Sequence, residues 1–320
     1  MYEEFYGLTS SPFKLTPDPR FFFAGGPHKK ALAYVAYGMS KCEGFLVITG
    51  DVGAGKTTLI DYLLQTVSPE QVNTAKIVTT RLDSDSLLSM VTRAFGIETQ
   101  NSDRASLLHG LQEHLLAVHR RGSRSLLIID EVQNLTRDVL EDLRMLSNFQ
   151  QGAEPLLQVF LVGQPEFRQT LASPVLEQLR QRVIAYYHLH PLGPLETRNY
   201  IRHRLKQAGW NGSPQFTLKA LDQLYRETGG VPRRINVLCD RLLLFGFLEQ
   251  KRIFGQAEVQ ATINDMRDEN SYVQPTGDRG LAAGGVTPLE VQDGGSHRQQ
   301  APQGGDIVVD TPMSQSRNRG

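Results

Sequence analysis

The segment Gly50-Asp51-Val52-Gly53-Ala54-Gly55-Lys56-Thr57 constrains the fold of this chain more than any other stretch. It satisfies the pattern G-x-x-x-x-G-K-[ST]. It follows an apolar run at Phe45–Thr49 and precedes an amphipathic stretch at Thr57–Val67, the strand, loop and helix that the pattern requires. Glycines let the backbone turn its N–H groups inward onto phosphate oxygens, and the positive end of the following helix adds to that field. Gly50 to Thr58 therefore form a candidate phosphate-binding loop. Lys56 would reach the β- and γ-phosphates of ATP, and the Thr57 hydroxyl would ligate Mg²⁺.

The same strand-and-helix rhythm recurs. Apolar runs at Phe45–Thr49, Ala75–Thr80, Leu126–Asp130, Leu157–Val162 and Val183–Leu189 alternate with helical stretches at Thr57–Val67, Asp85–Phe95, Arg104–Arg120 and Arg137–Gln150. This implies an α/β fold, a parallel five-stranded sheet with helices on both faces. After Pro191 only helices are expected, near Leu195–Ala208, Leu218–Glu227, Arg233–Gln250 and Gln256–Asp268, which form a small all-α domain. The last fifty residues hold nine Gly, four Pro and six Gln with Tyr272 as their only aromatic, so a disordered C-terminal tail is expected. The expected organisation is an N-terminal extension at 1–27, an α/β domain at 28–191, a helical domain at 192–270 and a tail at 271–320.

Composition removes several function classes. Lys+Arg and Asp+Glu both number 34, which excludes a strongly basic nucleic-acid binder. No apolar run approaches the roughly 18 residues of a spanning helix. The first residues carry no secretory leader pattern, and Cys42 and Cys239 are too few for a disulfide scaffold, so a cytoplasmic location is expected. Both cysteines read as small buried hydrophobes, and Tyr34-Val35-Ala36-Tyr37 reads as helix packing. Charge is uneven, however. From Pro191 to Arg252 eleven Lys+Arg face five Asp+Glu, a face able to track phosphates, so ATP-dependent nucleic-acid binding or remodelling stands as the alternative function.

The run Leu126–Ile129 ends in Asp130-Glu131. A buried apolar strand ending in two adjacent carboxylates suits a cation and a water at the sheet edge. Asp130 is placed for the Mg²⁺ shell, and Glu131 for polarising a water in line with the γ-phosphate. The alternative, a cap for the next helix, is better met by Thr136.

With these motifs, the chain resembles the AAA+ ATPases. More narrowly it resembles the secretion ATPases that include general secretion pathway protein A and relatives encoded in exosortase (PEP-CTERM) and exopolysaccharide-export loci. The resemblance is carried by Tyr6-Gly7-Leu8, Pro12-Phe13, Thr16-Pro17-Asp18-Pro19, Gly44-Phe45 into Gly50–Thr58, and Asp130-Glu131-Val132-Gln133-Asn134-Leu135. It continues in Gly163-Gln164-Pro165-Glu166, Leu179-Arg180-Gln181-Arg182 and Gly230-Val231-Pro232-Arg233-Arg234-Ile235-Asn236.

The resemblance implies further roles. Gln164 takes the sensor 1 position beside the γ-phosphate or the attacking water. Arg182, with Arg180 as the second candidate, takes the arginine-finger position that completes a neighbouring subunit's site, which requires a homo-oligomer. Arg233 takes the sensor 2 position, from which the helical domain acts as a lid on the γ-phosphate. The opening segment, with Phe13 and Asp18–Phe22, lies near the adenine, while Phe21-Phe22-Phe23 suit either stacking or core packing. The implied activity is Mg²⁺-dependent ATP hydrolysis that energises an envelope secretion, exosortase-linked or exopolysaccharide-export system from the cytoplasmic side. General secretion pathway protein A continues into a membrane span and a peptidoglycan-binding region, so the exosortase-locus subgroup is the expected match.

Overall fold

A computed structural model describes residues 1–16, 18–78, 83–98 and 103–273. The tail expected at 271–320 lies outside them from residue 274 onward, and so do Thr79 and Thr80 of the second expected strand. The chain opens with α1 (Tyr2–Tyr6) and α2 (Gly26–Lys41), then β1 (Phe45–Gly50), α3 (Lys56–Thr66) and β2 (Val72–Val78). There follow α4 (Ser84–Ala94), α5 (Arg104–Arg120), β3 (Arg124–Asp130) and α6 (Arg137–Leu146). A two-residue ladder, β4 (Gln150–Gln151) with β5 (Glu154–Pro155), leads to β6 (Leu157–Gly163), α7 (Phe167–Ala172), α8 (Glu177–Gln181) and β7 (Val183–Leu189). Last come α9 (Pro194–Gln207), β8 (Gln215–Phe216), α10 (Leu218–Thr228), α11 (Pro232–Leu248), β9 (Ile253–Phe254) and α12 (Gln256–Val273).

Five strands form one parallel sheet in the order β2-β3-β6-β1-β7. Its central strands are buried over nearly their whole length and largely apolar, because both faces are covered. Val47, Ile77, Ile129 and Leu161 point to a layer built with α4, α5 and α6, and their neighbours Leu46, Ile128, Phe160 and Val162 to a layer built with α2 and α3. Helix starts follow local chemistry: Asp83 accepts from the Ser86 N–H, Asp103 from Ser106, Thr136 from Val139 and Thr217 from Ala220. Thr136 thus caps α6, and the Glu131 side chain caps nothing.

Because all five strands run in parallel, Gly50, Asp130 and Gly163 reach the same edge of the sheet. Strand order places β1 between β6 and β7, so the loop after Gly50 opens at that edge, where such sheets take ligands.

Several details depart from the sequence reading. Helix α12 runs past Asp268 to Val273, and β8 pairs with β9 in what was expected to be an all-helical region. Tyr34 and Tyr37 are 49% and 56% exposed. Ala31, Val35 and Gly38 form the buried stripe of α2, and Gly38 lies so close to Leu46 that a Cβ there would overlap its side chain. Cys239 is buried as expected, whereas Cys42 ends α2 in a left-handed turn at φ 62° and is half-buried. The opening segment forms one core with the helical region: Tyr2, Tyr6, Leu8, Phe13 and Phe21 pack with Tyr200, Leu205, Leu242, Leu243 and Phe254. Arg204 fastens it there by donating to the carbonyls of Pro12 at 2.6 Å and Lys14 at 3.0 Å, with its guanidinium over the Phe21 ring.

Candidate active site

A cleft of about 410 Å³ opens above Gly53–Thr58. Its phosphate end is lined by Lys56, Thr57, Thr58, Glu131, Gln164 and Arg233. The far end is lined by Lys14–Thr16, Asp18, Phe21–Phe23, Tyr200, Arg204 and Asn236. Of the sequence-predicted site residues, Val52, Gly53, Gly55–Thr58, Glu131, Gln164 and Arg233 line this one cleft, and buried Asp130 joins them through the Thr57 hydroxyl. Of the phenylalanines, Phe21 is buried in the core, Phe22 stacks on Tyr62 at 4.4 Å, and Phe23 packs edge-on to Tyr200.

Lys56 is buried and its ammonium donates to the carbonyls of Gly50 at 2.7 Å and Asp51 at 3.0 Å, closing the loop on itself. Burial pulls its pKa below the ordinary lysine value, and the carboxylates of Glu131, Asp130, Asp51 and Glu166 act in the opposite direction. The Thr57 hydroxyl donates to Asp130 Oδ2 at 2.9 Å, and Asp130 Oδ1 accepts from the Glu131 N–H at 2.9 Å. A hydroxyl and a carboxylate oxygen thus stand side by side at the mouth of the loop, the hard oxygen donors that Mg²⁺ takes.

Glu131 has φ 59°, a left-handed conformation that is uncommon outside glycine and turns its side chain off the line of β3 into the cleft. There Glu131 Oε2 accepts from two amides, Gln133 Nε2 at 2.5 Å and Gln164 Nε2 at 3.2 Å. The Gln133 carbonyl oxygen accepts in turn from the Gln164 backbone N–H at 3.0 Å. Gly163 leaves room for this bridge, since a Cβ there would lie 2.9 Å from Gln133 Oε1. Gln133 lies in the segment Asp130–Leu135 that carries the family resemblance, but sequence reasoning assigned it no role of its own.

Arg233 reaches the cleft from the first turn of α11, and its backbone N–H donates to the Gly53 carbonyl at 3.1 Å. Arg180 and Arg182 are not in the cleft. Arg182 precedes β7, whose Val183 pairs with Phe45 at the start of β1, while the loop leaves β1 at its far end. One strand length, about 20 Å, separates them. Arg182 donates to the Ser147 hydroxyl at 3.1 Å, and Arg180 pairs with Glu177 and donates to the Ala172 carbonyl.

Residues 40–171 match the family model described as AAA domain. The matched stretch runs from the end of α2 through β6 into α7. Around it, General secretion pathway protein A of Aeromonas hydrophila is 40% identical over 276 residues, which cover 85% of this chain and 50% of that protein. The chain thus spans about half the length of that relative. Among solved structures, the Aeropyrum pernix ORC2 protein superposes with a TM-score of 0.60 at 17% identity, over 79% of this chain and 71% of that one. Cdc6p from Pyrobaculum aerophilum superposes with a TM-score of 0.62 at 16% identity, over 80% and 70%. At such identities these two structures bear on the fold, and they extend the likeness beyond the AAA domain into the helices that follow it. No helix among the described residues is long and apolar enough to cross a membrane.

Proposed function

We propose that this chain is a Mg²⁺-dependent ATPase that works as a homo-oligomer. The observation that carries this reading is the pairing of Thr57 with Asp130 at 2.9 Å directly beside Glu131, over the loop that holds Lys56. ATP would lie with its phosphates on the N–H groups of Gly53–Thr57 and its base toward Phe21–Phe23 and Tyr200. Thr57 and Asp130 would hold Mg²⁺, which would supply charge neutralisation at the phosphates.

Glu131 accepts the proton of a water whose oxygen attacks the γ-phosphorus as the β–γ bridging bond breaks, giving ADP and phosphate. The two amides on Oε2 hold the carboxylate in the cleft, where it serves as the base. Lys56 and Arg233 balance charge on the phosphates. Arg182 or Arg180 lies too far from its own loop to join them, so either acts on the site of a neighbouring subunit. Residues contacting ATP come from the AAA domain, the opening segment and α11 together, so hydrolysis is felt as a shift of the helical lid.

Likeness to General secretion pathway protein A supports a role in energising an envelope secretion system, with exosortase-linked or exopolysaccharide export as the more specific form and a place on the cytoplasmic side. Nucleic-acid remodelling draws less support from the lid's basic residues. Arg204 is buried against the opening segment, and Arg198, Arg241 and Lys251 pair with Asp222, Glu269 and Glu258. Mixing inactive Lys56→Ala and Arg182→Ala subunits tests the assignment of shared sites. Recovered hydrolysis supports it, and a mixture as inactive as its components rejects Arg182 and passes the test to Arg180→Ala. Stimulation by DNA would favour the remodelling reading instead.

A further inference from the structure

His28 lies in the first turn of α2 and is only 4% exposed. Its ring meets the phosphate loop: Nε2 is 3.2 Å from the Ala54 carbonyl oxygen, and a Cβ on Gly55 would lie 3.1 Å from the same nitrogen. Phe22 packs edge-on against the imidazole with ring centroids 5.7 Å apart. A carbonyl oxygen can only accept, so the proton sits on Nε2. Nδ1 is then an acceptor, buried and without a hydrogen-bond partner among the described residues. A second proton would find no partner there, and burial favours the neutral ring.

The peptide bond is planar and trans, so the carbonyl of Ala54 and the N–H of Gly55 point in opposite directions. Holding the Ala54 oxygen toward α2 aims the Gly55 N–H away from α2, to the concave side of the loop. That N–H makes no hydrogen bond within the protein among the described residues. Gly55 has φ +95°, and the absence of a side chain is what lets the imidazole approach so closely.

We propose that His28 is a positioning residue for the phosphate cradle: by donating from Nε2 to Ala54 it turns the Gly55 N–H toward the phosphates of a bound nucleoside di- or triphosphate. His28 is among the residues that line the cleft, and it acts on the phosphates through the Ala54–Gly55 peptide. The proposal rests on the nucleotide reading above and adds the residue that sets the loop's backbone.

Calorimetric titration of MgADP and of magnesium pyrophosphate into the full chain and its variants tests it. His28→Phe keeps the ring volume without the donor, and His28→Gln restores a donor. His28→Phe should weaken both ligands about tenfold, the worth of one aligned hydrogen bond, and His28→Gln should recover most of the loss. Equal binding by wild type and His28→Phe overturns the proposal. So does a loss for ADP that spares pyrophosphate, which would place His28 at the base or ribose. Wild type that binds neither ligand removes the nucleotide reading and this proposal with it. Nitrogen NMR of the wild-type imidazole gives a check without variants: the Nε2–H tautomer near pH 7 is expected, and the Nδ1–H tautomer contradicts the argument.

Discussion

The backbone N–H of Arg233 donates to the carbonyl of Gly53 at 3.1 Å, so the first turn of α11 is docked on the phosphate loop with no side chain between them. Gly53 has φ +83°, and a Cβ there would overlap the Arg233 Cβ. Gly53→Ala therefore carries a left-handed strain of about 1–2 kcal/mol and pushes the lid off the loop. ATP turnover should fall at least about tenfold, while the unfolding temperature drops by only a few degrees, the size of that strain. Steady-state phosphate release together with a thermal melt checks this.

Gln133 holds Glu131 through Nε2 and Gln164 through Oε1. Gln133→Ala removes both links and leaves the Gln164 amide in place on the carboxylate. Turnover at saturating ATP should drop about tenfold, with ATP affinity within about twofold of wild type, since Gln133 orients the base and meets no phosphate. Paired measurements of kcat and nucleotide Kd decide it, and a fall in affinity larger than the fall in kcat would contradict the assignment.

Tyr6 is 1% exposed, and its hydroxyl donates to the carbonyls of Leu243 at 3.2 Å and Lys251 at 3.1 Å. The opening segment is thus part of the lid core. Tyr6→Ala should cost about 3–5 kcal/mol in urea denaturation, the scale of a large aromatic removed from a core. A change below about 1 kcal/mol would show the segment to be a dispensable extension.

Acid should destabilise the fold through one buried imidazole and three half-buried ones. His28, His114, His188 and His203 all have pKa values drawn down, in each case chiefly by burial. In the unfolded chain they titrate near about 6.5, so just below that pH the unfolded state binds more protons than the folded one. This stability is fully present above about pH 6.5 and is lost as pH falls toward the folded values. The urea midpoint should be level from about pH 8 to 7 and decline between about pH 6.5 and 5. A midpoint that rises on acidification would contradict the burial of these rings.

The sheet and the strand, loop and helix around Gly50–Thr57 were legible in the sequence because each depends on local chemistry. Phe45–Thr49 is apolar enough for a strand covered on both faces, and Gly50–Thr57 needs its glycines wherever it occurs. Asp130-Glu131 was legible for the same reason, as charge at the end of an apolar run. Contacts between distant segments were not. Nothing around Tyr6 shows that its hydroxyl will meet the Leu243 carbonyl, and Gln133 is an ordinary polar residue until the chain crosses from β3 to β6. Tyr34 and Tyr37 show a different error: Ala31, Val35 and Gly38 mark the inward stripe at helical spacing, and the tyrosines flank it. The ladder of β8 with β9 escaped notice because two-residue strands leave no periodicity.

The central claim is that Glu131 is the base of a Mg²⁺-ATPase built on Lys56, Thr57 and Asp130. It is tested most directly by measuring phosphate release and ATP binding side by side for wild type and Glu131→Gln. Wild type should release phosphate, Glu131→Gln should release it at least about a hundredfold more slowly, and both should retain ATP affinity. Release by Glu131→Gln at the wild-type rate, or no release by wild type at any protein concentration with Mg²⁺ and ATP present, would contradict it.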